Sequence, residues 1–162
     1  DAVSPDLSPE VAASVFQSAV ATVCVPAVTG NGVSGVMAAQ QGKLRPTQDA
    51  ETRKQAGASP DETVWDVMDG KGVVTVREKP GQCVVSVYGA PAKAAVAGIS
   101  QALSAAPGVR GVSIAIVSDV KQTVTFEVGP RPVQVQIAGS EPGSPGHQSR
   151  FSVVTATVTR TQ

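Results

Sequence analysis

Val73-Val74-Thr75-Val76-Arg77-Glu78 and Cys83-Val84-Val85-Ser86-Val87-Tyr88 are two alternating runs separated by Lys79-Pro80-Gly81-Gln82, and an alanine-rich stretch follows from Ala92. Period-two alternation on both sides of a Pro-Gly turn predicts a β-hairpin. The third stretch, with Ala95, Val96, Ile99, Ala102 and Leu103 recurring at helical spacing, predicts a helix from Ala92 to about Ala106 that lies on the hairpin. Pro91 opens that helix and Pro107-Gly108 ends it.

Downstream, four more alternating runs follow: Val112–Val117, Thr123–Val128, Val133–Ile137 and Phe151–Val158. Turns at Asp119–Gln122 and Gly129–Pro132 are short, so consecutive strands are antiparallel neighbours. The loop from Ala138 to Arg150 is longer, rich in Gly, Pro and Ser, and holds the only histidine, His147. Apolar side chains fall on one side of these strands and Thr, Ser, Gln and Glu on the other. One face is therefore buried under helices and the other meets water or a partner.

Upstream, Ser8-Pro9-Glu10 is a helix start, with Ser8 as cap, Pro9 in the first turn and an acid at the positive end of the macrodipole. Val11, Val15, Phe16, Ala19, Val20 and Val23 carry the apolar stripe to Cys24, and Pro26 is expected to end the helix. Gly30-Asn31-Gly32-Val33-Ser34-Gly35 matches G-x-G-x-x-G, the pattern that admits a pyrophosphate to a helix N-terminus. Its surroundings differ from a dinucleotide site, because Pro26 interrupts the preceding run and no βαβ repeat follows. The expected structure is a glycine-rich turn into a short helix closed by Gly42. Residues 43–60 read as a polar connection. Ser59-Pro60-Asp61-Glu62 has the S-x-x-E capping box of a helix start, yet Val64–Met68 alternates as a strand would, so a single turn followed by a short strand or helix is expected. Trp65, the only tryptophan, reads as a core plug under a helix.

The fold class expected is α+β, an antiparallel sheet of five to seven strands with two principal helices packed on one face. A single domain over 1–162 accommodates it, with an N-terminal helical arm (8–42), the polar connection (43–60) and a β-β-α-β-β-β-β body (61–162). Cys24 and Cys83 lie in apolar runs expected to pack together, so a disulfide between them is predicted. It would close a loop of about 60 residues and contribute about 4 kcal/mol through the unfolded chain.

Composition narrows function. Thirteen basic and thirteen acidic residues without long runs give no electrostatic footprint for nucleic acid. No run of eighteen apolar residues is present, so no transmembrane segment is expected. A start at Asp1 without methionine, two cysteines and few asparagines lead to the expectation of a periplasmic or secreted protein. Catalysis has no constellation to rest on: His147 has Ser144 and Ser149 near it in sequence only, no nucleophile elbow exists, and no cofactor or metal is expected.

Cys24-Val25-Pro26, the glycine-rich segment, Leu44-Arg45-Pro46, Trp65, Gly72–Val76 and Cys83–Ser86 together resemble a family of small exported or lipid-anchored bacterial envelope proteins with no assigned activity. The resemblance covers residues 11 to 105 and implies an envelope location. The functional expectation is a non-enzymatic binding or assembly module of the bacterial cell envelope. The alternative is a small enzyme or nucleotide-binding protein using Gly30–Gly35. Proline at a strand entrance favours an edge, so the C-terminal hairpin is the expected contact surface, pairing with another envelope protein or with itself. Pro132, Val133, Val135, His147 and Phe151 are its candidate contact residues.

Overall fold

In a computed structural model, which describes residues 8–30, 32–39, 44–55, 58–60, 62–67, 74–79, 81–140 and 153–161, the paired strands Val74–Lys79 and Gln82–Tyr88 sit inside an eight-stranded antiparallel sheet. The strands are β1 (Leu44–Pro46), β2 (Thr63–Val67), β3 (Val74–Lys79), β4 (Gln82–Tyr88), β5 (Val109–Ser118), β6 (Lys121–Val128), β7 (Arg131–Ser140) and β8 (Val153–Arg160). They lie in the order β1-β2-β3-β4-β8-β7-β6-β5. Two meanders, β1 to β4 and β5 to β8, are thus joined through their last strands. The seven-residue β4–β8 seam runs from Gln82↔Thr159 to Tyr88↔Val153.

The α+β class and the antiparallel sheet are as expected, but the strand count exceeds five to seven. The added strand at Leu44–Pro46 lies in what the sequence presents as a polar connection. Only Leu44 of the three is buried, so the segment carries no periodicity to read; backbone pairing with Val67, Asp66 and Trp65 of β2 makes it a strand.

Helices cover one face. The N-terminal helix comprises α1 (Pro9–Ala19), a π-helical turn (Val20–Cys24) and α2 (Val25–Thr29). Ser8 caps it, its hydroxyl accepting from Val11 N–H at 3.2 Å. Pro26 does not stop this helix. The π turn resets the hydrogen-bond pattern, with Val25 N–H reaching Val20 O, and Pro26 falls in the first turn of α2, where a missing donor is tolerated. Glu10–Thr29 is long and apolar enough to cross a membrane by length and composition, contrary to the expectation drawn from unbroken apolar runs. Here its apolar side, including Phe16, Val20 and Cys24, is buried. Next comes α3 (Gly32–Ala39), against α2 and the π turn; α4 (Ala50–Gln55) is not part of this layer, and its Arg53 reaches the Ser59–Glu62 segment. The alanine-rich helix is divided at Gly98 into α5 (Ala92–Ala97) and α6 (Ile99–Ser104), with Ala95, Val96, Ile99 and Leu103 fully buried.

The core lies between these helices and a valine-rich sheet face. Trp65, Val76, Val85, Ala156 and Ile137 follow one another across five strands in register, all of them buried. Cys24 and Cys83, both inaccessible, form the predicted disulfide with Cα atoms 5.3 Å apart and fasten the first helix to β4. Gln17 adds a polar contact between helices, its Nε2 donating to Ala94 O and Ala95 O at 3.1 Å each. Arg131, opening β7, donates to Thr29 O at the end of α2 (3.1 Å), where cations suit the negative helix terminus.

The opposite sheet face divides in two. Over β2 to β4, Val64, Thr75, Val84 and Ser86 are buried as well, which one-sided patterning does not anticipate. Over β8 to β6, Thr155, Thr157, Gln134, Gln136, Thr123 and Thr125 range from half-buried to exposed.

Candidate interaction edge

β5 is the last strand of the sheet, and among the described residues only β6 pairs with it. It is ten residues long. Ile114 opposes Val124 and Ile116 opposes Gln122. Opposed residues share a face, and both partners are buried on the helix side, at 0% and 8% exposure. Ile114 and Ile116 therefore continue the core-facing side of the sheet, yet they are 44% and 73% exposed, and Val117 is 67% exposed. The cause is the length of the cover: α6 packs against β5, and Ala102, Ala106, Val109 and Val112 close onto the core, but the rest of the strand runs past it.

The edge strand has a regular middle and irregular ends. Register shifts fall between Arg110 and Ser113 and between Ile116 and Ser118, the first at Gly111, whose φ of +69° favours glycine. Between Gly111 and Ser118 no residue is charged. The charges flanking this stretch have partners within the chain: Arg110 Nη2 lies 3.3 Å from Glu127 and Lys93 Nζ lies 3.7 Å from Asp119. At the other end of the sheet, β1 is three residues long and carries Arg45 and Pro46. Short length, charge and proline are how natural sheets protect an edge; β5 has none of these in its middle.

The residues singled out by sequence are placed elsewhere. β7 is flanked by β6 and β8, and β8 by β7 and β4, so the C-terminal hairpin is interior to the sheet. Val133 and Val135 are core residues at 1% and 0% exposure. Pro132, the second residue of β7, lies opposite Glu127, and its carbonyl accepts from Thr161 N–H at 3.0 Å. A strand entrance tolerates proline in the interior too, because pairing there is only beginning. His147 and Phe151, with the loop around them, lie outside the described residues, as does Gly42.

The glycine-rich segment leads into α3, as expected of a turn and short helix. Its N-terminus already holds an anion: Val33 N–H donates to Glu78 Oε2 at 2.8 Å. A Cβ on Gly32, whose φ is +78°, would stand 2.7 Å from the same oxygen. A carboxylate from β3 occupies the position that a phosphate would take in a dinucleotide site, and the geometry lends that alternative no support.

Two ionisable groups are buried away from the edge. Glu62 is 2% exposed in its side chain, with Arg77 Nη1 at 3.2 Å and Lys79 Nζ at 3.6 Å. Half of the S-x-x-E box forms: Ser59 N–H donates to Glu62 Oε1 at 2.7 Å, but the Glu62 N–H donates to the Ser59 carbonyl instead of its hydroxyl, and a strand follows instead of a helix. Arg53 completes the knot by donating to Ser59 O and Glu62 O at 2.9 and 2.8 Å. Burial opposes ionisation of Glu62, but the Ser59 amide, the Arg77 charge and the Ser59 hydroxyl outweigh it, and its pKa lies below the ordinary value. For Asp66 burial prevails over the Arg45 charge, with Asp49 adding to it, and the pKa is raised. These are features of folding chemistry: the Glu62 carboxylate is fully engaged, and among the described residues no group of three His, Cys, Asp or Glu side chains is arranged to hold a metal ion.

Ile114, Ile116 and Val117 are the surface residues that sequence reading missed. Their signal was the unbroken Ile116-Val117 pair, which cannot put both side chains on one face of a regular strand. No protein-family model matches the chain, nor does any curated protein or solved structure.

Proposed function

We propose that this chain is a non-enzymatic binding or assembly module of the bacterial cell envelope, and that it takes its partner by strand addition at β5. The observation that carries the reading is a ten-residue edge strand with exposed Ile114, Ile116 and Val117, ending a sheet whose other edge is short and carries proline. Strand addition joins main-chain hydrogen bonds to alternate side-chain contacts, and an uncharged aliphatic edge suits both. The buried Cys24–Cys83 disulfide supports an oxidising compartment.

Site-specific photo-crosslinking in cells tests the reading. A photoreactive residue at Val117 should give adducts, one at exposed Lys54 should not, and Ile114→Pro should abolish them by removing an edge donor, since the hydrogen-bonded pairs with β6 fall at Ser113 and Ala115. Absence of adducts at Val117 in cells that export and oxidise the chain would refute it.

A further inference from the structure

We infer that the occupant of the β5 edge is a second copy of this chain, paired strand to strand about a two-fold axis at Ile114. This rests on the strand-addition reading and adds the identity of the partner. A strand that pairs antiparallel with its own copy must match itself when reversed, because each residue i meets the residue equally far beyond the axis. Val112-Ser113-Ile114-Ala115-Ile116 has that property in shape. About Ile114, the small Ser113 and Ala115 exchange places, and the β-branched Val112 and Ile116 exchange places. A strand serving an unrelated partner has no need of such symmetry.

The surroundings fit the same geometry. With the axis normal to the sheet, both helix layers lie on one side, and Ile114 and Ile116 from each copy fill the gap between the two α6 helices. Their exposed area is removed from water against side chains of the same kind. No like charges meet, since residues 111–118 are uncharged and Arg110 and Asp119 already have partners in their own chain. The register shifts between Arg110 and Ser113 and between Ile116 and Ser118 leave Ser113 to Ala115 as the regular centre about Ile114, with Val112 and Ile116 at its margins, and β1, with Arg45 and Pro46, offers no second edge for growth. Association thus closes at the dimer and does not extend into a filament. The chain already contains a junction of this kind, the β4–β8 seam.

Sedimentation and light scattering of the full oxidised chain test the inference, together with disulfide trapping. The native chain should pass from monomer to dimer as concentration rises. Ile116→Lys, at a 73% exposed position, should weaken the dimer by at least about tenfold while leaving the melting temperature of the dilute monomer unchanged. Ile114→Cys should cross-link to itself on mild oxidation, and Val112→Cys should cross-link to Ile116→Cys when the two are mixed; Thr125→Cys, on the other face, should not. A native chain that stays monomeric at every concentration overturns the inference, as does a dimer indifferent to Ile116→Lys. Photo-adducts at Val117 to a different protein, with the chain monomeric, would leave the strand-addition reading standing and remove the second copy. Loss of both results removes both.

Discussion

The two meanders are built alike and finished differently. Each follows a helical segment, and each contributes its last strand to the β4–β8 seam. The first has a disulfide, a buried carboxylate with two cationic partners and side chains buried on both faces of β2 to β4. The second has longer strands, a Thr- and Gln-bearing open face and an edge with bare aliphatics. Cross-links and buried charge hold the first half to one structure, which leaves the second free to keep surface that a self-sufficient sheet would cover.

Breaking the staple should blur the contrast most. Cys24→Ser with Cys83→Ser should lower unfolding free energy by about 4 kcal/mol, the effect of releasing a loop of this size, measured by denaturant titration against the oxidised chain. Removing the buried carboxylate comes next. Glu62→Gln should cost about 2 kcal/mol by weakening the charge-assisted contacts to Arg77 and Lys79. Its pH dependence follows from a folded-state pKa below 4.5: the unfolded chain binds the proton more readily, so this contribution is present above that value and fades as pH falls through the folded pKa. Melting temperatures across acidic pH should therefore converge for the two proteins.

A smaller effect tests the contact between the halves. Gly98→Ala places a Cβ in collision with the Gln17 carboxamide, forcing it off the Ala94 and Ala95 carbonyls, for a loss of about 1–2 kcal/mol by thermal denaturation. Asp66→Asn should be slightly stabilising at neutral pH. Its carboxyl has a raised pKa, so the charged form is disfavoured by folding; the gain should vanish in acid, opposite in slope to Glu62. Ile116→Lys, in the second half, should leave stability within about 0.5 kcal/mol of the native chain.

Much of the architecture is legible in residues whose local and tertiary preferences agree. Cys83 opens an alternating strand, Ser8-Pro9 opens a helix, and Ala95, Val96, Ile99 and Leu103 mark one face, so these elements form where their patterns lie. Pro26 and Leu44–Pro46 were misread because the deciding partner is distant or unusual: a π turn absorbs the proline, and β2 recruits a segment with no pattern of its own. The edge of the sheet was placed on the wrong hairpin for a related reason. Pro130 and Pro132 describe how a strand begins, whereas edge status depends on strand order, and the return of β8 to β4 is a long-range choice between several valine-rich strands of similar character.

That return has a consequence in time. The ribosome makes β8 after the other seven strands of the sheet, yet β8 occupies its middle, against β4 on one side and β7 on the other. Until residues 153–160 emerge, Gln82–Tyr88 waits with one edge unpaired and the second meander has nothing to join. Long-range pairing of this kind is slow and cannot be completed piecemeal during synthesis. β8 acts as a latch, and a chain lacking residues 153–160 is left with two separate sheets where the folded one has a seam.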